Sequence, residues 1–364
     1  MKIGIVGCGD ISGIYLTNIT NMFKEIEIAG VCDLVDEKVD RVAAEYGLRK
    51  YKDMHEMFAD PEVDIVLNIT RPYEHFDVSM AAIAAGKHVY TEKPLGATYD
   101  EGKEIREAAA AKGVRIGGAP DTFLGAGIQT CRKLIDDGYI GEPVGATAFM
   151  TCRGHESWHP DPAFYYQFGG GPMMDMGPYY LTALVNLLGP VNKITGMARA
   201  SFPTRTITSQ PHLGTIVDVE VPTYITGQLQ FASGAIGSIF TTFDVHAANL
   251  PIIEIYGSEG TLSVPDPNIF GGPIKLYRPE HGAFMEFPLA FGYPENSRGL
   301  GLADMAKAIQ TGRAHRANGD LTFHVLEIMT SIERSAKEGG TLSIEAPYQR
   351  TAPMVNVDLP GILD

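Results

Sequence analysis

Cysteine and tryptophan are scarce in this sequence, and long apolar runs are missing. The four cysteines are scattered and include no C-x-x-C pair, so neither a disulfide framework nor a zinc ribbon is indicated. Reduced thiols of this kind are typical of the cytoplasm, where we expect the protein. No run of 18 apolar residues occurs, so we expect no membrane span. The start "MKIGIVGCG" enters a strand pattern at once and leaves no room for a signal peptide.

Positive charge is also in short supply. Lys and Arg total 29 against 44 Asp and Glu, which gives a formal net charge of −15. An acidic excess of this size repels phosphate backbones, so we expect no nucleic-acid partner. An anionic cofactor is still compatible with it, because a local group of backbone N–H donors can hold a phosphate whatever the global charge.

Residues 1–120 alternate between strand and helix patterns. Short apolar runs such as "KIGIVGCG" and "VDIVLNIT" read as buried strands, and "DEKVDRVAAEYG" has helical periodicity with a glycine at its end. This alternation indicates βαβ units and a parallel sheet covered on both faces. We therefore predict an α/β protein with an N-terminal Rossmann dinucleotide-binding domain over these residues.

The rhythm changes in residues 121–364. A helix is predicted over 123–137 and two more near the end, with alternating segments such as "TYITGQLQF" and "AIGSIFTTF" between them. Long helices do not separate these segments, so we predict a C-terminal α+β domain with an open, mostly antiparallel sheet. An uncovered sheet face would expose apolar surface, which favours a homodimer or homotetramer.

The stretch from Gly7 to Ser12 has the spelling of a phosphate-binding turn. Gly7 allows the tight turn, and Gly9 lets a pyrophosphate approach the backbone. Asp10 and Ile11 then lead into a helix whose N-terminus faces the pyrophosphate. The alternative is a glycine-rich turn without a ligand, but the flanking strand and helix favour dinucleotide binding.

Asp33 follows the second predicted strand, at the distance from the glycines that a dinucleotide site requires. A carboxylate there accepts hydrogen bonds from ribose hydroxyls and repels a 2′-phosphate, and no arginine directly follows it. NAD is therefore the expected cofactor and NADP the alternative.

Two later motifs, "TEKPLG" and "GGGPMMDMGPYY", resemble the Gfo/Idh/MocA oxidoreductases, the family of glucose–fructose oxidoreductase and inositol dehydrogenase. "IGIVGCGDIS" and "IIEIYGSEGTLSV" also fall in the family's order, so the resemblance covers nearly the whole chain. It implies hydride transfer between a nicotinamide cofactor and a sugar or polyol. It also implies pairing of subunits through the open sheet.

The resemblance also implies roles for single residues. Lys93 matches the family's active-site lysine, and Asp175 matches the acid of its D-x-G-x-[H/Y] motif. Tyr179 occupies the last position of that motif, which is histidine in many members. His75 matches a histidine near the nicotinamide. Asp121 stands where many members have asparagine and is assigned to the substrate.

Three strand-end residues complete the predicted cofactor site. Thr70 ends the third strand, and Glu92 stands before Lys93 at the end of the fourth. We expect all three to lie beside the cofactor, because ligands of such sheets bind at the carboxyl ends of the strands. Arg71 departs from the small or apolar residue that is commoner in the family at its position.

The chemistry can also be argued from the residues themselves. Oxidising a secondary alcohol needs a base for the hydroxyl proton, and a tyrosine has an ordinary pKa of about 10. Nearby Lys93 would lower the pKa of Tyr179 or hydrogen-bond the alkoxide directly. Asp175 lies four residues before Tyr179, on one face of a helix that Pro178 limits to its first turn, and would orient the substrate or the lysine. The alternatives are an N-cap for Asp175 and a core position for Tyr179.

The stretch "GHESWHPDP" contains His155, Glu156 and His159 with the H-E-x-x-H spacing of zinc peptidases. Pro160 directly follows and pushes His159 out of the helical region, so we predict no metal site. Trp158 and the two histidines are predicted to form a wall against a sugar, because indole faces stack on its C–H surface. The alternative is that Trp158 fills a packing gap.

We therefore predict an NAD(P)-dependent oxidoreductase that acts on a secondary alcohol or ketone of a sugar, sugar derivative or cyclic polyol. One alternative is a glycosidase that uses bound NAD to oxidise a ring carbon transiently. Another is a sugar-sensing regulator without activity. The presence of Lys93, Asp175 and Tyr179 counts against the sensor.

Overall fold

A computed structural model of the protein describes residues 1–355 and 363–364. Its N-terminal part contains a five-stranded sheet of order β2-β1-β3-β4-β5, in which every pair is parallel. The strands are β1 Lys2–Val6, β2 Glu27–Cys32, β3 Ile65–Asn68, β4 His88–Thr91 and β5 Ile116–Gly118. The helices are α1 Ser12–Asn21, α2 Asp36–Tyr46, α3 Met54–Ala59, α4 His75–Ala84 and α5 Tyr99–Lys112. This arrangement confirms the Rossmann prediction.

The order of the strands places a topological switch point at the carboxyl end of β1. From β1 the chain moves first to β2 on one side and then to β3 on the other, so neighbouring connections diverge there. In doubly wound sheets such a switch point is where ligands bind. The phosphate turn after β1 and the segment after β4 both lie at this edge.

The second sheet has nine strands in the order β15-β14-β13-β12-β6-β11-β10-β7-β16. Only β6 and β11 pair in parallel, so the prediction of a mostly antiparallel sheet is confirmed. Its strands are β6 Pro143–Thr151, β7 Val191–Arg199, β10 Tyr224–Phe231, β11 Ile236–Thr242, β12 Ile253–Gly257, β13 Thr261–Val264, β14 Ile274–Tyr277, β15 Phe284–Phe287 and β16 Leu342–Ser343. A separate hairpin is formed by β8 Thr204–Thr206 and β9 Ile216–Asp218.

Helices cover one face of this sheet. They are α6 Ala126–Asp136, α7 Pro172–Leu188 and α9 Gly319–Glu338, whereas α8 Leu300–Thr311 packs against β5 of the first sheet. Gly196 of β7 and Gly227 of β10 let α9 approach closely, since an added Cβ would lie 2.3 Å and 2.9 Å from atoms of Ile332. On the opposite face Met197 exposes 76% of its surface, so the sheet is open there as predicted.

Helix α7 continues without interruption past Pro178, which is its seventh residue. The prediction that this proline confines the helix to its first turn was therefore wrong. A proline inside a helix costs roughly 3 kcal/mol. Packing offsets that cost here, because every residue of α7 except Asp175 and Met176 is buried.

The last helices return to the first sheet. Gly118 N donates to Ala317 O at 3.1 Å, and His315 Nε2 lies 2.9 Å from Ile116 O. The domain border near residue 120 stays a prediction. None of the helices in the described part of the chain combines the length and the hydropathy that a membrane span needs.

Candidate active site

The phosphate turn is shaped to admit an anion. Gly7 has φ +109°, and a Cβ there would lie 2.7 Å from Ile69 O, so a side chain is excluded. At Gly9 a Cβ would meet nothing within 4 Å, which leaves open space above the backbone. Ile11, at the N-cap of α1, provides no side-chain cap, and the first turn carries no acid. The helix N-terminus can therefore receive a pyrophosphate.

Asp33 lies directly beside that turn. Its carboxylate accepts hydrogen bonds from Cys8 N at 2.7 Å and Val35 N at 2.9 Å, which fixes it at the end of β2. The neighbouring Leu34 exposes 92% of its surface and offers an apolar contact for an adenine ring. These residues fit the adenosine end of NAD.

Lys93 and Asp175 form an ion pair between the two halves of the molecule. Lys93 Nζ lies 2.8 Å from Asp175 Oδ1 and 2.7 Å from its backbone oxygen, and the side chains expose only 18% and 13%. Burial disfavours both charges, but their attraction outweighs it. The pKa of Lys93 is therefore raised and the pKa of Asp175 is lowered, so both are ionised at neutral pH.

Tyr179 stands on the same face of α7 as Asp175. Lys93 Nζ lies 5.3 Å from the centroid of its ring, so the predicted trio is brought together. The expected fall in the pKa of Tyr179 is not found, because burial raises it more than the positive charge of Lys93 lowers it. Arg298 hydrogen-bonds this tyrosine and opposes the rise.

Arg298 was missed by the sequence analysis. Its guanidinium donates to Asn268 Oδ1 at 2.7 Å and Asn296 Oδ1 at 2.9 Å, which holds it against Tyr179. It lies in a glycine- and proline-rich loop before α8, where a single arginine carries no motif. Only the tertiary fold brings it to the site.

Glu92 is buried behind the lysine. Its Oε1 accepts from Tyr15 OH at 2.7 Å and its Oε2 from Lys93 N at 3.0 Å. The carboxylate therefore ties β4 to α1, the helix that follows the phosphate turn. It supports the predicted cofactor site from below the surface.

Asp121 differs from the expectation that it faces substrate. It exposes 1% of its surface, and its Oδ2 accepts from Gly299 N at 2.8 Å and Gly301 N at 3.0 Å. It thus holds the N-terminus of α8, where a negative charge is favourable. Burial raises the pKa of Asp121 to about 6 in spite of these bonds.

His75 is likewise inside the protein rather than on a cofactor surface. Its Nδ1 lies 2.7 Å from Pro94 O and its Nε2 lies 3.1 Å from Thr70 O, and only 1% of the residue is exposed. Burial lowers its pKa. The ring braces the segment after Lys93 against Thr70, which is half-buried at the end of β3.

The loop 154–162 brings His155 to the ion pair. His155 Nε2 lies 3.4 Å from Asp175 Oδ2, and its ring stacks on Tyr165 with centroids 3.9 Å apart. Trp158 exposes 63% of its surface, so it does not fill a packing gap. His159 Nδ1 accepts from Asp161 N at 3.0 Å, which shapes the loop.

The H-E-x-x-H residues do not act as one unit. Glu156 turns inward and pairs with Arg205, with Nη1 3.0 Å from Oε1. His155 contacts Asp175 instead. Within residues 1–355 and 363–364, no group of three or more His, Cys, Asp or Glu side chains could hold a metal ion.

Two family models match segments of the chain. Residues 1–118 match the model described as "Oxidoreductase family, NAD-binding Rossmann fold", and residues 128–263 match the "GFO/IDH/MocA C-terminal domain". Together the two matches cover most of the sequence.

Individual relatives and solved structures show the same family similarity. An inositol 2-dehydrogenase/D-chiro-inositol 3-dehydrogenase of Lactiplantibacillus plantarum is 32% identical over 44% of this chain, and the match covers 45% of that relative. The chain therefore spans about half the length of this relative. A myo-inositol 2-dehydrogenase of Thermotoga maritima is 26% identical over 72% of this chain and 74% of its own. The crystal structure of an NAD binding oxidoreductase from Klebsiella pneumoniae superimposes with a TM-score of 0.81, 23% identity, and coverage of 95% and 99%.

Proposed function

We propose an activity for this chain, which belongs to the Gfo/Idh/MocA oxidoreductase family. It is an NAD-dependent dehydrogenase or reductase for a CH–OH group of a sugar, sugar derivative or cyclic polyol. The observation that carries this proposal is the buried Lys93–Asp175 pair, which lies at the carboxyl end of β4 beside Tyr179 and next to the dinucleotide crevice. The names of the inositol dehydrogenases support the class of substrate.

Bound NAD supplies the hydride acceptor or donor. The chain's residues bind the hydroxyl and move its proton. Lys93 donates a hydrogen bond to the substrate oxygen as its negative charge develops, which stabilises the alkoxide. Tyr179 takes the hydroxyl proton in its phenolate form and returns it in the reverse direction. Asp175 keeps Lys93 charged and oriented.

The substrate wall is proposed to come from the loop 154–162. The exposed face of Trp158 can stack on the C–H surface of a ring, and His155 and His159 flank it. Polar groups at the other side of the same space, Lys93 and Asp175, would bind the ring hydroxyls.

NAD rather than NADP is proposed as the physiological cofactor. Asp33 is held by two backbone N–H groups in the position where a 2′-phosphate would meet its negative charge. Titration of the protein with NADH and NADPH, following nicotinamide fluorescence, should show tighter NADH binding. Asp33→Ser should narrow the difference, and tighter NADPH binding by the unchanged protein would refute the assignment.

We also propose that the protein forms a homodimer or homotetramer through the open sheet face. Met197 and Ile236 are exposed on that face, and Tyr224 packs edge-on against Phe240 with centroids 4.8 Å apart. Light scattering should give a dimeric or tetrameric mass. Met197→Lys should reduce the measured mass, because it places a charge on the open face. A wild-type protein that is monomeric at micromolar concentration would contradict the proposal.

Product analysis tests the activity itself. The protein is incubated with single sugars, cyclitols and glycosides and with NAD, and the products are identified by mass spectrometry. A dehydrogenase gives a product lighter by two hydrogens and an equal amount of NADH. A cleaved glycoside without net NADH would instead identify the glycosidase alternative.

A further inference from the structure

A buried cluster centred on Arg205 lies behind the active site. Arg205, in the hairpin strand β8, exposes 3% of its side chain. It pairs with Glu156 at 3.0 Å and with Asp244, and it donates to Phe243 O at 3.1 Å. The two terminal nitrogens of the guanidinium bind these three buried acceptors, and together the bonds fix the direction of its planar fork.

The hairpin also holds the backbone of the loop 154–162. Thr208 N and Ser209 N both donate to Glu156 O at 2.8 Å. Glu156 is therefore held by its side chain and by its carbonyl group. The residue before it, His155, has little freedom to move while these bonds are intact.

His155 meets Asp175 from the side opposite to Lys93. Lys93 binds Oδ1 of Asp175, whereas His155 Nε2 lies 3.4 Å from Oδ2. The ring of His155 is clamped by stacking on Tyr165 and by the edge of Phe243, 4.7 Å away. Arg205 thus reaches both neighbours of this histidine, Glu156 on one side and the Phe243 carbonyl on the other.

The tautomer of His155 follows from its surroundings. Its Nδ1 is buried and has no hydrogen-bond partner in the described residues. A proton on Nδ1 would be a buried donor without an acceptor, whereas a bare Nδ1 leaves only an unused lone pair. The neutral ring therefore carries its proton on Nε2 and offers it to Asp175.

We propose that Arg205 is a positioning residue of the active site, which acts through Glu156 and Phe243 to fix His155 against the second oxygen of Asp175. The carboxylate is then held from both sides, by Lys93 and by His155, and cannot rotate away from the lysine. The importance of this for turnover rests on the proposed function of Asp175, but the contact itself does not.

The test compares Arg205→Met and Arg205→Lys with Arg132→Met. Arg132 is a matched control, since it is similarly buried and pairs with Asp136 at 2.6 Å outside the site. Both Arg205 variants should lose about 10- to 100-fold in kcat, the scale of a misplaced catalytic group, with little change in NADH affinity. Arg132→Met should lose thermal stability while the folded protein keeps its kcat. Arg205→Lys retains the positive charge, so it still tests the proposal if Arg205→Met does not fold.

Nitrogen-15 NMR of the histidines gives a readout that needs no turnover. The His155 resonances, identified by their loss in His155→Gln, should show the Nε2–H tautomer in the wild type and in Arg132→Met. In Arg205→Lys they should move towards a mixture of tautomers. If wild type turns over no substrate but these signals change, the proposed function fails and the positioning stands. Unchanged signals or unchanged kcat in the folded Arg205 variants would overturn the proposal.

Discussion

The nucleotide side and the substrate side of the active site are built over different distances along the chain. Cys8 and Asp33, which shape the nucleotide side, are 25 residues apart and belong to one βαβ unit. On the substrate side, Lys93 and Asp175 are 82 residues apart, and Glu156 and Arg205 are 49 apart on a loop and a hairpin. A site made within one unit depends on local backbone geometry. A site made between units depends on how those units pack against each other.

Lys93→Ala should have the largest effect and should separate the two sides. In the proposed mechanism the ammonium group stabilises the alkoxide, and in the structure it pairs with Asp175, so we expect kcat to fall by about 10²–10⁴. The affinity for NADH, measured by fluorescence titration, should change little because the phosphate turn is intact. Lys103→Ala, which removes an exposed lysine from α5, serves as the control and should leave both unchanged. A loss of NADH binding equal to the loss in kcat would show that the two sides are not separable.

Tyr179→Phe should cost a similar factor and change the pH dependence. A base must be deprotonated to act, so oxidation should speed up as the pH rises towards the pKa of Tyr179. Burial raises that pKa above its ordinary value, so the limb in kcat/KM should lie on the alkaline side rather than near neutrality.

The limb should disappear in Tyr179→Phe. The Lys93→Ala/Tyr179→Phe double variant should lose little more than either single variant, because coupled residues are not additive. A limb that persists unchanged in Tyr179→Phe would place the base elsewhere.

Asp121→Asn tests the contact between Asp121 and the N-terminus of α8 through its effect on the free energy of unfolding. The folded-state pKa of Asp121 is about 6, above the ordinary value of 3.8, so its protonated form favours the folded state. The stabilisation present at low pH is lost as the pH rises from about 4 through 6, by about 3 kcal/mol for a shift of this size. Asparagine can still accept from Gly299 N and Gly301 N but carries no charge. The variant's unfolding free energy, relative to wild type, should rise between pH 4 and pH 7, and a constant difference would refute this.

Trp158→Ala should have the smallest effect, and it tests whether Trp158 contacts the substrate. Loss of one stacking contact should raise KM for the substrate by about three- to tenfold and leave kcat nearly unchanged. Phe284→Ala removes another exposed aromatic side chain, at the far edge of the second sheet, and should change neither constant. Equal effects of both substitutions would mean that Trp158 makes no specific contact.

The same difference in distance explains what the sequence could predict. The strand, the glycine turn and the helix after it obey local rules, so Gly7, Gly9 and Asp33 could be placed together. Local rules predicted that Pro178 confines the helix to its first turn. This was wrong, because the packing around α7 offsets the free-energy cost of a proline inside a helix. The assignment of Asp121 to the substrate came from the family resemblance, whereas in the structure its carboxylate binds the N-terminus of a helix 180 residues later.

Arg205 and Arg298, the two arginines of the substrate side, show most clearly what sequence patterns alone cannot predict. Arg205 alternates with Thr204 and Thr206 in a short strand, and this pattern suggests only that it lies on the opposite face from its neighbours. Its partners Glu156 and Asp244 come from other segments. Arg298 stands in a loop without any periodicity. Neither position could be found without knowing which elements pack together.

The central claim is that these two sides meet to move a hydride between NAD and a ring alcohol. The most direct test is a screen of sugars and cyclitols with NAD and with NADP, in which the absorbance of the reduced cofactor is followed for the wild type and Lys93→Ala. We predict that at least one substrate gives NADH with the wild type, that NADP supports a lower kcat/KM, and that Lys93→Ala lowers the rate of NADH formation by about 10²–10⁴. No reduced cofactor from any sugar or cyclitol, or the same rate from Lys93→Ala, would contradict it.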